Sequence, residues 1–187
     1  LCAGDYYVQV TNATGCVTVD TASVASPDPI LANLSTTPAS CADACDGTAT
    51  VGPTGGVEPY EFLWAPEPLT GQGTPQAGGL CAGVYTVTIT DDAGCSIVQD
   101  VIILAPPPIS VSATIQEISC NGVCDGSIAL VPQGGVAPYT FLWSPAPPNG
   151  PTGDTATDLC AGDWQVLVTD ANGCDTLLTY TISEPAL

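Results

Sequence analysis

In the stretch Val84-Tyr85-Thr86-Val87-Thr88-Ile89-Thr90 the side chains of Tyr85, Val87 and Ile89 alternate with threonines at a period of two. Successive side chains of a β-strand point to opposite faces, so Tyr85, Val87 and Ile89 are predicted to face a core. Asp91-Asp92-Ala93-Gly94 then supplies hairpin-turn chemistry, and a further strand is expected after Cys95. Working outward, Tyr60, Phe62 and Trp64 share one face of another short run, and helix signals are weak throughout.

The same patterns return downstream. The cysteines stand at 2, 16, 41, 45, 81, 95, 120, 124, 160 and 174, and adding 79 to the first six gives the last six. Gly55-Gly56-Val57-Glu58-Pro59-Tyr60 returns as Gly134-Gly135-Val136-Ala137-Pro138-Tyr139, and Leu-Cys-Ala-Gly occurs at 1–4, 80–83 and 159–162. Self-similarity at a fixed spacing marks a tandem array. Proline clusters at 27–29 and 106–108, with Pro185, place the seams. The expected organisation is therefore the C-terminal part of a preceding repeat at 1–29 and complete repeats at 30–108 and 109–187. Six or seven short strands in each complete repeat suggest an all-β, immunoglobulin-like sandwich, with a small barrel as the competitor. Trp64, Trp143, Tyr85 and Trp164 are its predicted core aromatics. Proline-stiffened joins predict repeats held end to end as a rod.

Composition removes many functions. The 187 residues include no Lys, Arg, His or Met, against 19 acidic residues, for a formal charge of −19. Nucleic-acid binding lacks the cations that neutralise phosphate, an anionic membrane surface would repel the chain, and no His-based catalytic pair is available. There is no initiator Met, no leader with a basic start and no apolar run of membrane-spanning length, so the chain is expected to be cut or processed from something longer. The acids kept at matched positions, Asp46/Asp125 and Asp91/Asp170, sit beside turns, and Glu58 and Glu61 become Ala137 and Thr140. No facing carboxylate pair for glycoside hydrolysis emerges, and no enzyme is expected.

Four cysteines in so small a repeat point to an oxidising compartment and to disulfides rather than zinc. Cys45 and Cys81 each precede a strand that should start at the same end of a sandwich. The same holds for Cys124 and Cys160, so the pairs 45–81 and 124–160 are expected. By elimination Cys41 would take Cys95 and Cys120 would take Cys174. Because Cys95 follows a hairpin tip and could lie at the opposite end, a bond to a neighbouring repeat is the alternative. Cys2 and Cys16 would find partners outside the chain. Asp91, Asp92, Asp170 and Asp175, near repeat ends, are candidate calcium ligands, with turn chemistry as the simpler account; no other metal or cofactor is expected. Tyr7 is an outward-facing aromatic, but its matched positions are Thr86 and Gln165, so no repeated platform for sugar binding is seen. Asn12-Ala13-Thr14 and Asn33-Leu34-Ser35 have the form of glycosylation sequons.

The string Cys120-Asn121-Gly122-Val123-Cys124-Asp125-Gly126, then Gly134 to Trp143, Leu159-Cys160-Ala161-Gly162 and Asp170-Ala171-Asn172-Gly173-Cys174 resembles the SprB-type repeat. That family occurs in very large surface proteins of Bacteroidetes, including a gliding-motility adhesin, whose members are exported by the type IX system. The resemblance implies an extracellular, cell-surface, Ig-like module that forms arrays and carries no active site. The expected function is a rigid stalk in a giant adhesin or filament. The competing expectation is weak, multivalent and calcium-dependent binding of polysaccharide or surfaces by the repeats themselves. Expected partners are neighbouring repeats of the same chain, a homo-oligomeric filament, and polysaccharide or a cell surface.

Overall fold

A computed structural model describes residues 4–186. Among them there are strands and no helix. The first two strands, β1 (Gly4–Thr11) and β2 (Val17–Val24), form an antiparallel hairpin that pairs only with itself. Six strands follow: β3 (Leu34–Thr37), β4 (Gly47–Val51), β5 (Tyr60–Ala65), β6 (Gln76–Leu80), β7 (Gly83–Asp91) and β8 (Ser96–Ile103). They make two three-stranded antiparallel sheets, ordered β3-β4-β6 and β5-β7-β8. Six more repeat the arrangement: β9 (Ser110–Gln116), β10 (Gly126–Gln133), β11 (Thr140–Ser144), β12 (Thr155–Leu159), β13 (Gly162–Thr169) and β14 (Asp175–Ile182). Their sheets are β9-β10-β12 and β11-β13-β14. Neither pair of sheets closes into a barrel, so the sandwich prevails over that competitor.

Each sandwich has its own core. In the first, Trp64, Leu80, Val87, Ile89, Val101 and Ile103 are buried between the sheets, with Tyr60, Phe62 and Tyr85 packed at the margin. In the second, Ile128, Trp143, Leu159, Trp164, Val166 and Val168 do the same, with Tyr139 and Tyr180 beside them. Tyr180 thus turns inward, at the position matched by buried Val101, and burial raises its phenol above the usual range.

The tryptophan indoles also anchor loops, since a buried N–H needs an acceptor. Trp64 Nε1 donates to the Thr74 carbonyl and Trp143 Nε1 to the Gly153 carbonyl, each at 2.9 Å. The edges of β5 and of its counterpart β11 are completed differently. The Gln72 side-chain amide accepts from Trp64 N at 2.8 Å and donates to Trp64 O at 3.0 Å. At the matched place the Pro151 carbonyl accepts from Trp143 N at 2.9 Å.

Two departures from simple periodicity have local causes. On β1, Val8 and Val10 are 59% and 57% exposed, whereas Val87 and Ile89 at matched positions are fully buried. Among the described residues no second sheet covers β1 and β2, so an inward-type pattern has nothing to face. Strand β3 is shorter than β9 because Asn33 takes a left-handed φ of 48° and its Nδ2 donates to the Gly52 carbonyl at 2.9 Å. The ladder resumes as an isolated bridge between Leu31 and Thr54.

Candidate functional site

The functional geometry lies at the ends of the sandwiches. A turn, a glycine pair and a seam are tied together there in both copies. Asp170 closes the β13–β14 hairpin: its Oδ1 accepts from the main-chain N–H groups of Asn172 and Cys174, both at 2.9 Å. Its other oxygen accepts from Val136 N at 2.8 Å, while Ala171 N donates to Val136 O at 2.8 Å. Gly135 N then donates to Pro107 O in the seam at 2.7 Å. In the first sandwich Asp91 binds Cys95 N at 2.8 Å and Val57 N at 3.0 Å, and Gly56 N donates to Asp28 O at 2.7 Å. Burial works against the Asp170 carboxylate, but the amides of Val136, Cys174, Asn172 and Gly173 outweigh it and lower its pKa.

Glycine is required beside the seam. Gly134 has φ of 74°, and a Cβ there would stand 2.1 Å from the Pro108 carbonyl oxygen. Gly55 is alike, with φ of 76° and 2.2 Å to the Pro29 oxygen. The Tyr139 hydroxyl donates to the Gly134 carbonyl and the Tyr60 hydroxyl to the Gly55 carbonyl, which fixes the turn from below.

At the opposite end of each sandwich, a short loop carries the two closely spaced cysteines. In the first, Asp46 Oδ1 accepts from Ser40 N at 2.8 Å and Ala44 N donates to Cys41 O at 3.2 Å. In the second, Asp125 Oδ1 accepts from Ser119 N at 2.9 Å and Val123 N donates to Cys120 O at 3.1 Å. Bonds from these serines hold Asp46 and Asp125 below the ordinary carboxylate range. The structure contains the disulfides Cys45–Cys81 and Cys124–Cys160 at this end of each sandwich. The Tyr85 hydroxyl and the Trp164 indole N–H donate to the carbonyls of Cys81 and Cys160, at 3.2 and 3.1 Å.

The pairings of Cys41 with Cys95 and of Cys120 with Cys174 do not form. Ala39 N donates to Leu104 O at 2.8 Å, so the Cys41 loop lies where β8 ends, whereas Cys95 lies where β8 begins. Eight residues of extended chain, roughly 25 Å, separate those ends. The third bond instead joins Cys41 of the first sandwich to Cys174 of the second, with S–S 2.03 Å and Cα atoms 5.7 Å apart. Asn172 Nδ2 donates across the same junction to Ser40 O at 2.9 Å. Between the two ends is a cleft of about 420 Å³ lined by Cys41, Asp43, Pro107, Ile109, Gly135 and Thr176. Cys16, Cys95 and Cys120 are exposed and unbonded among the described residues, and Cys2 lies outside them.

The four calcium candidates are not brought together. Asp91 and Asp170 are buried and engaged by main-chain N–H groups, while Asp92 and Asp175 are exposed. No group of three or more Cys, Asp or Glu among the described residues is placed to hold a metal ion. Tyr7 is 70% exposed and stands alone as an outward aromatic on β1. The partnership of Asn172 with Ser40 was not legible beforehand, although Ser40 and Ser119 both precede a cysteine at matched positions.

Paired three-stranded sheets around one core, stapled by a disulfide and repeated in tandem, define an immunoglobulin-like, all-β repeat module. The SprB repeat family matches at residues 33–67 and 112–147, so the chain carries SprB repeat sequence at two places. No curated protein matches the chain. It is similar to a solved chain described under "Structural basis for Dscam isoform specificity", at 10% identity and TM-score 0.34, covering 97% of this chain. That similarity spans 54% of the other chain's length. It is also similar to the amphioxus IgVJ-C2 molecule, at 13% identity and TM-score 0.30, over 81% of this chain and 97% of that one. The SprB repeat family is associated with cell-surface proteins, and its repeats are typically structural rather than catalytic.

Proposed function

We propose that the chain is a stalk segment of a large extracellular adhesin or surface filament, built from 79-residue repeats held end to end, which presents a more distal part of the protein. Cys41–Cys174 carries this reading, because it fastens the end of one sandwich to the start of the next at a junction where the seam is also clamped. A covalent bond, a main-chain clamp from Gly135 and the Asn172 hydrogen bond act at one junction, so relative rotation of the sandwiches is opposed at three separate points. The partners in this reading are neighbouring repeats. Non-catalytic, mechanical work and export to the cell surface follow from the same reading.

Small-angle X-ray scattering of the oxidised chain, with C41S/C174S as the reference, tests it. The stalk reading expects an elongated particle whose distance distribution broadens in the variant. A compact oxidised particle with the sandwiches side by side would overturn it. Binding of the oxidised chain to polysaccharides and whole cells, with millimolar calcium and again with chelator, checks the role directly. Saturable, calcium-dependent binding would replace the stalk with an adhesive repeat.

A further inference from the structure

We infer that the Cys120 loop is a preformed socket for the hairpin tip of a second copy of this chain, and that Cys95 is the thiol it receives. The inference extends the stalk reading, since it makes the junction seen once in this chain the general way its repeats join. It starts from the one completed junction. Cys41 is bonded to Cys174, and Cys120 and Cys95 are the residues at the positions matched to these two. Both remain exposed and unbonded.

The free halves have the shape of the joined ones. The socket loop is tied by Ser119 N to Asp125 as the occupied loop is by Ser40 N to Asp46, at 2.9 and 2.8 Å. The tip is tied by Cys95 N to Asp91 as the docked tip is by Cys174 N to Asp170, at 2.8 and 2.9 Å. Gly94 N donates to Asp91 O at 2.9 Å and Gly173 N to Asp170 O at 3.1 Å, so the turns share a fold with or without a partner. Neither half must reorganise, which lowers the ordering cost of association. The C-terminal segment also runs past the socket, since Asn121 Nδ2 donates to Pro185 O at 3.5 Å, much as the seam prolines flank Cys41. The residues of the two halves differ: Asn121-Gly122-Val123 stands where Ala42-Asp43-Ala44 forms the occupied loop, Asp92 stands where Ala171 does, and Ala93 stands where Asn172 supplies its amide to Ser40.

Bond formation joins two thiols with loss of two protons and two electrons. A small organic disulfide takes up the electrons and is reduced to two thiols, through a mixed disulfide on one cysteine that the other thiolate then attacks.

The test uses two full-length variants mixed in equal amounts in a glutathione–glutathione disulfide buffer. A socket-only chain carries C2S/C16S/C95S and an isotope label; a tip-only chain carries C2S/C16S/C120S. Covalent dimers are separated without reductant and mapped by mass spectrometry after cleavage at acidic residues, because the chain has no Lys or Arg for trypsin. Mixed dimers joined through Cys120 and Cys95 are expected to exceed either self-dimer at least tenfold. Adding A93N to the tip-only chain is expected to raise their yield several-fold by restoring the amide for Ser119 O. A two-to-one-to-one statistical mixture, or an absence of dimers from folded samples, would overturn the inference. Either result leaves the scattering test of the stalk unaffected, because that test reads the Cys41–Cys174 junction within one chain.

Discussion

The side-chain amide of Asn172 binds the main-chain oxygen of Ser40 at 2.9 Å, across 132 residues of sequence and next to the Cys41–Cys174 bond. A polar side chain thereby reads the backbone of the neighbouring sandwich at the point where sulfur joins the two. The hydrogen bond fixes an orientation that a disulfide with freely rotating neighbours would leave open. N172A is expected to keep the disulfide and both cores but to widen the spread of angles between the sandwiches. Spin labels on the two sandwiches would show a broader distance distribution, and an unchanged one would mean the disulfide alone sets the angle.

The staples within the sandwiches act on a different quantity. Cys124–Cys160 closes a sequence separation of 36 residues and restricts the unfolded chain. C124S/C160S is expected to lower the unfolding free energy of the second sandwich by roughly 3–4 kcal/mol. Guanidinium titration followed by Trp143 and Trp164 fluorescence measures it, and a loss below about 1 kcal/mol would put the stabilisation in the packing alone.

Two glycines with similar backbones should respond differently to the same change. Gly173 has φ of 83° with nothing within 4 Å of an added Cβ, whereas Gly134 has φ of 74° and the Pro108 oxygen in the way. G173A should cost about 1 kcal/mol, the strain of a left-handed alanine. G134A should cost roughly 2–4 kcal/mol, since the seam must also shift. Paired thermal melts would decide, and equal losses would show that the seam contact is slack.

Acid should weaken the fold. Asp46, Asp125 and Asp170 have carboxyls held below their ordinary value in the folded state. Their contribution is present above the unfolded value of 3.8 and is lost as pH falls through the lower folded values. Protonation also relieves mutual repulsion in a chain of charge −19, an effect of opposite sign. Melting curves from pH 5 to pH 2 should show the midpoint falling below about pH 4. D170N should flatten that fall while lowering the midpoint at neutral pH, because an amide nitrogen cannot accept from Val136 N. A midpoint that rises steadily with acidification would mean that repulsion dominates.

The strands were legible because burial on one face writes itself as a period of two: Tyr85, Val87 and Ile89 alternate with threonines, and the structure buries that side. The 45–81 pairing could be reasoned from strand direction, since Gly47 lies opposite Leu80 beside both cysteines. The partner of Cys174 could not be fixed in that way. Its position at a hairpin tip says that it lies at one end of a sandwich, but which loop of which sandwich faces that end depends on the path of the seam. The Asn33 kink was hidden for a related reason: an asparagine in a sequon-like triplet looks like a surface feature until its amide is seen bonded to Gly52. The exposure of Val8 and Val10 shows the converse, where a correct inward pattern meets no covering sheet.

The Cys41–Cys174 bond also reroutes tension. A pull applied to the two termini travels through residues 1–41, crosses the sulfur bridge and leaves through residues 174–187. Residues 42–173, 132 of the 187, hang outside that path and contribute nothing to the stretched contour. The remaining 55 residues set a limit of roughly 180–200 Å at about 3.3–3.6 Å each. Strands β3 and β14 lie on the loaded path, whereas β4 to β13, which include the strands that carry Trp64 and Trp143, are sheltered from direct extension by the sulfur bridge.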